Sequence, residues 1–265
     1  MGHFSDKVIL ITGASSGIGK AIALQMADKN VHFILAARRL DELKLLQQDC
    51  EKKGATCTNL FIDMQSPGSI AGFTTIVLQQ FQKIDVLINN AGISQRSQAE
   101  ETAIEVDRKI MEVNFFAQVN LTKSLWPLLI KSPHTNIVLI SSVVGSFGFP
   151  QRSAYSASKH ALEGFFESWM LENKRENIFF TTVSPGRIYT NISYSALKAD
   201  GNAHQQLDEG QAKGISAEAC AKKIINGIIR NKRKVYVAQQ EMVLVILRKC
   251  LPFLFFKLVK KLKLS

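Results

Sequence analysis

The chain has 265 residues, 46% of them hydrophobic and 21% charged, with a formal net charge of +11. That length fits one α/β core, and no linker, repeat or low-complexity stretch divides it. The cysteines (Cys50, Cys57, Cys220, Cys250) lack metal spacing and the five histidines lack ligand pairing, so no metal is expected and the thiols are read as reduced and cytoplasmic. No apolar run is long enough to span a bilayer, no signal peptide is expected before the first strand, and Asp6 breaks the myristoylation pattern.

In chain order, Lys7–Thr12 is a short apolar β-prone run. Gly13-Ala14-Ser15-Ser16-Gly17-Ile18-Gly19 follows, and apolar residues then recur at helical spacing from Lys20 to Met26. Strand, glycine turn and helix make the setting a dinucleotide needs, because glycines admit a pyrophosphate and a helix start offers it free N–H groups. A second strand, Val31–Ala37, ends on Arg38 and Arg39 where an acid would hold the ribose 2′-hydroxyl of NAD. A guanidinium there suits a 2′-phosphate, so NADP(H) is expected, with Arg38 favoured over Arg39. Further strands are expected near residues 56–62, 84–89, 135–142, 178–184 and 233–237, with helices between them and a long one near 100–130. This alternation predicts a doubly wound, Rossmann-type parallel sheet of seven strands in one domain over residues 1–240.

Tyr155 and Lys159 are one helical turn apart and share a helix face. An ammonium ~4 Å from a phenol, at an effective dielectric of ~20, favours the phenolate by roughly 4 kcal/mol, or about three pKa units. Such a tyrosine is useful for proton transfer at neutral pH. Ser142 ends the strand before it, 13 residues upstream, and can hydrogen-bond a reacting oxygen, with Ser141 as runner-up.

Together these motifs resemble the short-chain dehydrogenase/reductase family. The match consists of Thr12-Gly13-x-x-x-Gly17-x-Gly19, Asn89-Asn90-Ala91-Gly92, the series Asn114, Ser142, Tyr155 and Lys159, and Pro185-Gly186 with Thr190. Within the family the chain is most similar to the group around 11β-hydroxysteroid dehydrogenase type 1 and the dehydrogenase/reductase member 7 proteins. The resemblance implies a catalytic tetrad of Asn114, Ser142, Tyr155 and Lys159. Lys159 would also hold the nicotinamide ribose, and Asn114 a water that links Lys159 to solvent. It places Asp63 and Met64 at the adenine, Asn90, Ala91 and Gly92 at the adenine ribose, and Pro185, Gly186, Ile188 and Thr190 beside the nicotinamide. Steroid-type relatives often carry an amino-terminal anchor, and its expected absence weakens a steroid assignment.

The expected function is NADP(H)-dependent interconversion of a carbonyl and a secondary alcohol on a small-to-medium, partly apolar substrate. Phe147, Phe149, Tyr189 and Tyr194 are candidate pocket walls, and residues 193–214 a candidate lid. A 3-oxoacyl thioester reductase and a non-catalytic NADP-binding sensor or scaffold are the alternatives, and a sugar-nucleotide epimerase is disfavoured by its glycine spacing. The surplus apolar surface of the Tyr155 helix (Leu162, Phe165, Phe166, Trp169, Met170) suggests a homodimer or homotetramer, as in similar proteins. Residues 221–265 hold twelve Lys/Arg and one acid, Glu241, and so carry the whole net charge. Residues 241–265 are expected to form a basic amphipathic helical extension. In it Leu251, Leu254, Phe255, Leu258, Val259 and Leu262 oppose Lys257, Lys260, Lys261 and Lys263. Peripheral contact with an anionic membrane and packing on the domain both remain open for it. No motif supports nucleic-acid binding.

Overall fold

A computed structural model describes residues 4–28 and 30–260. Lys261, Leu262 and Lys263 of the expected amphipathic face lie outside the described residues. In chain order the elements are β1 (Val8–Thr12), α1 (Gly17–Met26), β2 (His32–Ala37), α2 (Leu40–Glu51), β3 (Thr56–Phe61), α3 (Pro67–Gln80), β4 (Val86–Asn89) and α4 (Ile104–Met111). A π-helical turn (Glu112–Phe116) leads into α5 (Ala117–Ser124) and α6 (Trp126–Leu129), and then β5 (Thr135–Ile140), α7 (Ser153–Glu172) and β6 (Ile178–Pro185). The remainder is β7 (Ile188–Tyr189), α8 (Glu209–Ala212), β8 (Ile215–Ser216), α9 (Ala217–Ile229), β9 (Lys234–Val237), α10 (Glu241–Cys250) and α11 (Pro252–Val259).

Seven parallel strands form one sheet in the order β3-β2-β1-β4-β5-β6-β9, and β7 pairs with β8 in a separate two-stranded ribbon. Alternate strand residues face opposite layers, as a two-residue period requires. Ile9, Ile11, Phe33, Leu35, Val138 and Ile140 pack in the layer that includes Ile22 of α1, Leu43 and Leu46 of α2 and Ile224 and Ile228 of α9. Leu10, Ile34, Ile137 and Leu139 pack in the other, with Phe73 of α3, Leu121 of α5 and Leu162 and Phe166 of α7. The strand order reverses direction between β1 and β4. The carboxyl ends of those two strands are therefore the place where an open α/β sheet takes a ligand.

Three differences from the sequence reading have physical causes. The long helix near 100–130 is divided by the π turn at Glu112–Phe116 and by Pro127. The carboxy-terminal extension is two helices, broken at Leu251 (φ −136°, ψ 64°) ahead of Pro252. The surplus apolar surface of α7 is largely consumed within the chain: Phe165, Phe166, Trp169, Trp126 and Phe180 form one aromatic cluster.

Candidate active site

The glycine turn is built so that only glycine fits at three points. Gly13 and Gly17 have φ of +64° and +56°, in the left-handed region that L side chains avoid. A Cβ on Gly19 would lie 2.6 Å from Asn90 Nδ2 and 2.7 Å from the Gly13 carbonyl oxygen. Asn90 is the brace: Nδ2 donates to the carbonyl oxygens of Thr12 (2.9 Å) and Gly13 (3.1 Å). Thr12 Oγ1 in turn accepts from the N–H groups of Asn90 (3.0 Å) and Ala91 (3.1 Å). The side chain of Asn90 is thus turned toward the glycine turn. Gln118 Nε2 holds the Ala91 carbonyl at 2.8 Å.

The first turn of α1 holds no acidic side chain, and the Ser15-Ser16 step leaves its N–H groups without a side-chain cap. Those donors and the positive end of the helix dipole suit a pyrophosphate. At the end of β2, Arg38 and Arg39 are both exposed, and Arg39 Nη2 donates to Ser15 Oγ at 3.1 Å. Arg39, ranked second from sequence, is therefore the arginine whose guanidinium reaches the glycine turn. Thr190 closes the turn from the other side, since a Cβ on Gly17 would lie 3.2 Å from its Cγ2. Ile188 is buried, Thr190 Oγ1 donates to the Ile188 carbonyl at 3.4 Å, and the Gly186 N–H donates to Val237 at 2.9 Å. Asp63 is occupied locally. Its Oδ1 accepts from the Gln65 N–H at 3.0 Å and its own N–H donates to Ser69 Oγ at 2.9 Å. Met64 is buried in the core. The residues present thus fit a dinucleotide at the pyrophosphate end, where Gly13, Ser15, Ser16, Gly17, Ile18 and Gly19 meet Arg39.

The tetrad positions converge at the ends of β5, the π turn and α7. Asn114 sits inside the π turn, where the backbone bulge turns its side chain toward the loop after β4. Its Oδ1 accepts from Ile93 N, and its Nδ2 donates to the Ile93 carbonyl, both at 2.9 Å, and to Ser158 Oγ at 3.0 Å. Lys159 is buried and donates from Nζ to the Ile140 carbonyl at 2.8 Å, and a Cβ on Gly92 would lie 3.7 Å from that nitrogen. Ser142 Oγ lies beside the Tyr155 hydroxyl, donates to the Pro185 carbonyl at 3.4 Å and accepts from the Val144 N–H at 3.4 Å.

The electrostatics correct the sequence reading. The Lys159 ammonium lies 5.8 Å from the Tyr155 ring centroid and donates to a backbone carbonyl rather than to the phenol, so it does not bring the hydroxyl below its ordinary range. Burial instead holds the Tyr155 hydroxyl above its ordinary range, and Ser142, Arg96 and Arg152 oppose that rise. The same burial lowers Lys159 to about 8, against the raising charge of Glu163.

Five supporting groups, Gln95, Arg96, Arg152, Asp208 and Glu163, were not read from the sequence. Gln95, fully buried, caps the tyrosine helix from afar: Oε1 accepts from the N–H groups of Ala154 (2.9 Å) and Tyr155 (3.3 Å), while Nε2 donates to Ser153 Oγ at 3.1 Å. The local N-cap, Arg152, supplies no side-chain cap, so Gln95 satisfies donors that α7 leaves free. Asp208, in the expected lid, pairs with Arg96 and, at 3.4 Å, with Arg152. This ties residues 193–214 to both arginines beside the phenol, and burial together with Arg96 lowers Arg152 to about 9. Glu163 accepts from Ser141 Oγ (2.7 Å), Ser184 Oγ (3.2 Å) and Lys234, one helical turn beyond Lys159. Only Glu163 had a local signal, its i, i+4 spacing from Lys159. Of the expected pocket walls, Phe147 is buried against Phe255, with ring centroids 5.4 Å apart, while Tyr189 and Tyr194 are exposed.

A protein-family model described as short chain dehydrogenase matches residues 7–200. A Drosophila melanogaster protein named dehydrogenase/reductase SDR family protein 7-like is 41% identical over 260 residues, covering 96% of this chain and 80% of the relative. Mouse dehydrogenase/reductase SDR family member 7B is 37% identical over 262 residues, covering 97% and 81%. The fold matches that of a Sphingobium yanoikuyae short-chain dehydrogenase in complex with NADPH, with a TM-score of 0.77 at 23% identity over 98% and 97% of the two chains.

Proposed function

The chain belongs to the short-chain dehydrogenase family and is an oxidoreductase of that family, and we propose that it reduces a ketone or aldehyde to the alcohol with NADPH. One observation carries the chemistry: the hydroxyls of Ser142 and Tyr155 meet beside buried Lys159, at the carboxyl end of the sheet, next to the glycine turn. Two converging hydroxyl donors stabilise charge developing on a carbonyl oxygen. Tyr155, protonated at neutral pH, gives its proton to that oxygen, and Ser142 orients it. Lys159 remains largely charged at neutral pH and counters the tyrosinate that the transfer leaves. Bound NADPH supplies the hydride. The reading of NADPH over NADH rests on Arg38 and Arg39 at the end of β2, where no acid stands, and the Sphingobium neighbour's complex with NADPH agrees with it.

An NADPH-oxidation screen over ketones, aldehydes and 3-oxoacyl thioesters tests this. Turnover of simple ketones or aldehydes supports it, and turnover of thioesters alone favours the carrier-bound acyl reading. R39D is expected to move the kcat/KM ratio from NADPH toward NADH by about tenfold or more, the loss of one charge-assisted hydrogen bond. R38D is the parallel measurement, and an unchanged ratio in both removes the arginines as selectors.

The alkaline limb of the reduction profile should report Lys159. Activity falls as pH rises through about 8, where that side chain loses its charge. Glu163→Gln removes an anion that raises Lys159, so the limb moves to lower pH. A profile that stays in place shows that Lys159 does not set it.

The same proposal includes a homodimer or homotetramer, tested by sedimentation velocity, for which Ile104 of α4, Phe116 of the π turn and Leu171 of α7 are exposed large apolar side chains, and a cytoplasmic location, tested by fractionation. No helix among the described residues is long and apolar enough to cross a membrane.

A further inference from the structure

We infer that the helix pair α10–α11 is a docking surface for an anionic lipid membrane. Its inward residues are few. Val245, Phe255 and Val259 are buried, packed with Val143, Val144 and Phe147 beside the tyrosine. Its outward residues are large and apolar: Val243, Ile246, Phe253, Leu254, Phe256 and Leu258 are all exposed, Phe253 at 83%. The spacing makes this a face rather than a scatter. Val243 and Ile246 are three apart on α10, and Phe253, Phe256, Lys257 and Lys260 follow the i, i+3, i+4, i+7 pattern along α11. A soluble chain seldom leaves so many adjacent large apolar side chains uncovered.

Charge selects the occupant. Arg248, Lys249, Lys257 and Lys260 are exposed around the apolar side chains, and Arg248 lies 5.5 Å from the Phe256 ring. The only acid of the pair, Glu241, is turned away from this face. It accepts from the N–H groups of Arg187 (3.2 Å) and Gln239 (3.1 Å). A second copy meeting this face across a two-fold axis would set cations against cations with no carboxylate between them. A lipid surface with anionic headgroups satisfies both features, taking the rings into its interface and the lysines at its phosphates. Phe255 and Val259 of α11 belong to the cluster that contains Phe147 and against which Tyr155 packs, which places the docked helices beside the candidate site.

The test is co-sedimentation of the full chain with vesicles of phosphatidylcholine, alone and with added phosphatidylserine, at low and high salt. Binding to the anionic vesicles, weakened by salt, is the expected result. F253S/F256S should lose at least about tenfold in partitioning, because both rings leave the interface. K257Q/K260Q should lose about 30-fold on anionic vesicles and little on neutral ones. Both variants change exposed residues, and unchanged thermal melting and NADPH oxidation verify that the fold is intact. A chain that stays in the supernatant with every vesicle overturns the inference. So does binding indifferent to phosphatidylserine and to K257Q/K260Q, and so does a concentration-dependent dimer that F253S/F256S abolishes, which would make a second copy the occupant.

Discussion

Tyr155→Phe is expected to lower kcat for carbonyl reduction by about 10³-fold, the loss of a positioned general acid, while NADPH affinity is unchanged. The two effects separate because the glycine turn, its Asn90 brace and Arg39 are all remote from the phenol's hydroxyl. The helix itself is undisturbed, since Gln95 holds the backbone N–H of residue 155 and not its side chain. The measurement is steady-state turnover beside a fluorescence titration of NADPH. Full activity in the variant removes Tyr155 from the proton transfer. Equal loss of binding and turnover would make it a cofactor-packing residue.

Gly19→Ala is the second large effect. The added methyl falls 2.6 Å from Asn90 Nδ2 and 2.7 Å from the Gly13 carbonyl, so the Asn90 amide must leave the turn. Overpacking of this kind costs about 1–3 kcal/mol, and the two hydrogen bonds to Thr12 and Gly13 add about 1 kcal/mol each. NADPH affinity should fall by more than about tenfold, because the displaced turn no longer presents the start of α1 to the pyrophosphate. Gly72→Ala and Gly164→Ala are the controls. Both lie inside helices, and apart from the helix's own nearby backbone and the adjoining residues neither site has an atom within 4 Å of the new methyl. They should be neutral or stabilising by about 0.5–1 kcal/mol. Tight NADPH binding by Gly19→Ala would contradict the assignment of the turn.

How much of this was legible in the sequence follows from the range of the interactions. Strand cores such as Val8–Thr12 and Thr135–Ile140 announce themselves through local composition and length, and the alternation of strands with helices implies the parallel sheet. Gly13, Gly17 and Gly19 were readable because backbone geometry demands a residue type at a fixed spacing. The phenol's environment was not. Spacing puts Tyr155 and Lys159 on one helix face, but it cannot show that the Ile140 carbonyl takes the ammonium or that burial outweighs it. Gln95, Arg96 and Asp208 were invisible for the same reason: their partners lie 59, 112 and 56 positions away in the chain. The split of the last helix had a local cue in Pro252. The exposure of Phe253 and Phe256 did not follow from it, because a helical wheel does not say which neighbours are present.

Hydride delivery to a carbonyl carbon is the claim on which the account stands, and NADPH deuterated at the transferring position of nicotinamide C4 tests it most directly. With an accepted ketone, mass spectrometry should find one deuterium on the carbinol carbon of the alcohol, and Tyr155→Phe should yield almost none. Tight NADPH binding with the label retained on the nucleotide, for every carbonyl offered, would contradict the account and leave a protein that holds the dinucleotide without using it.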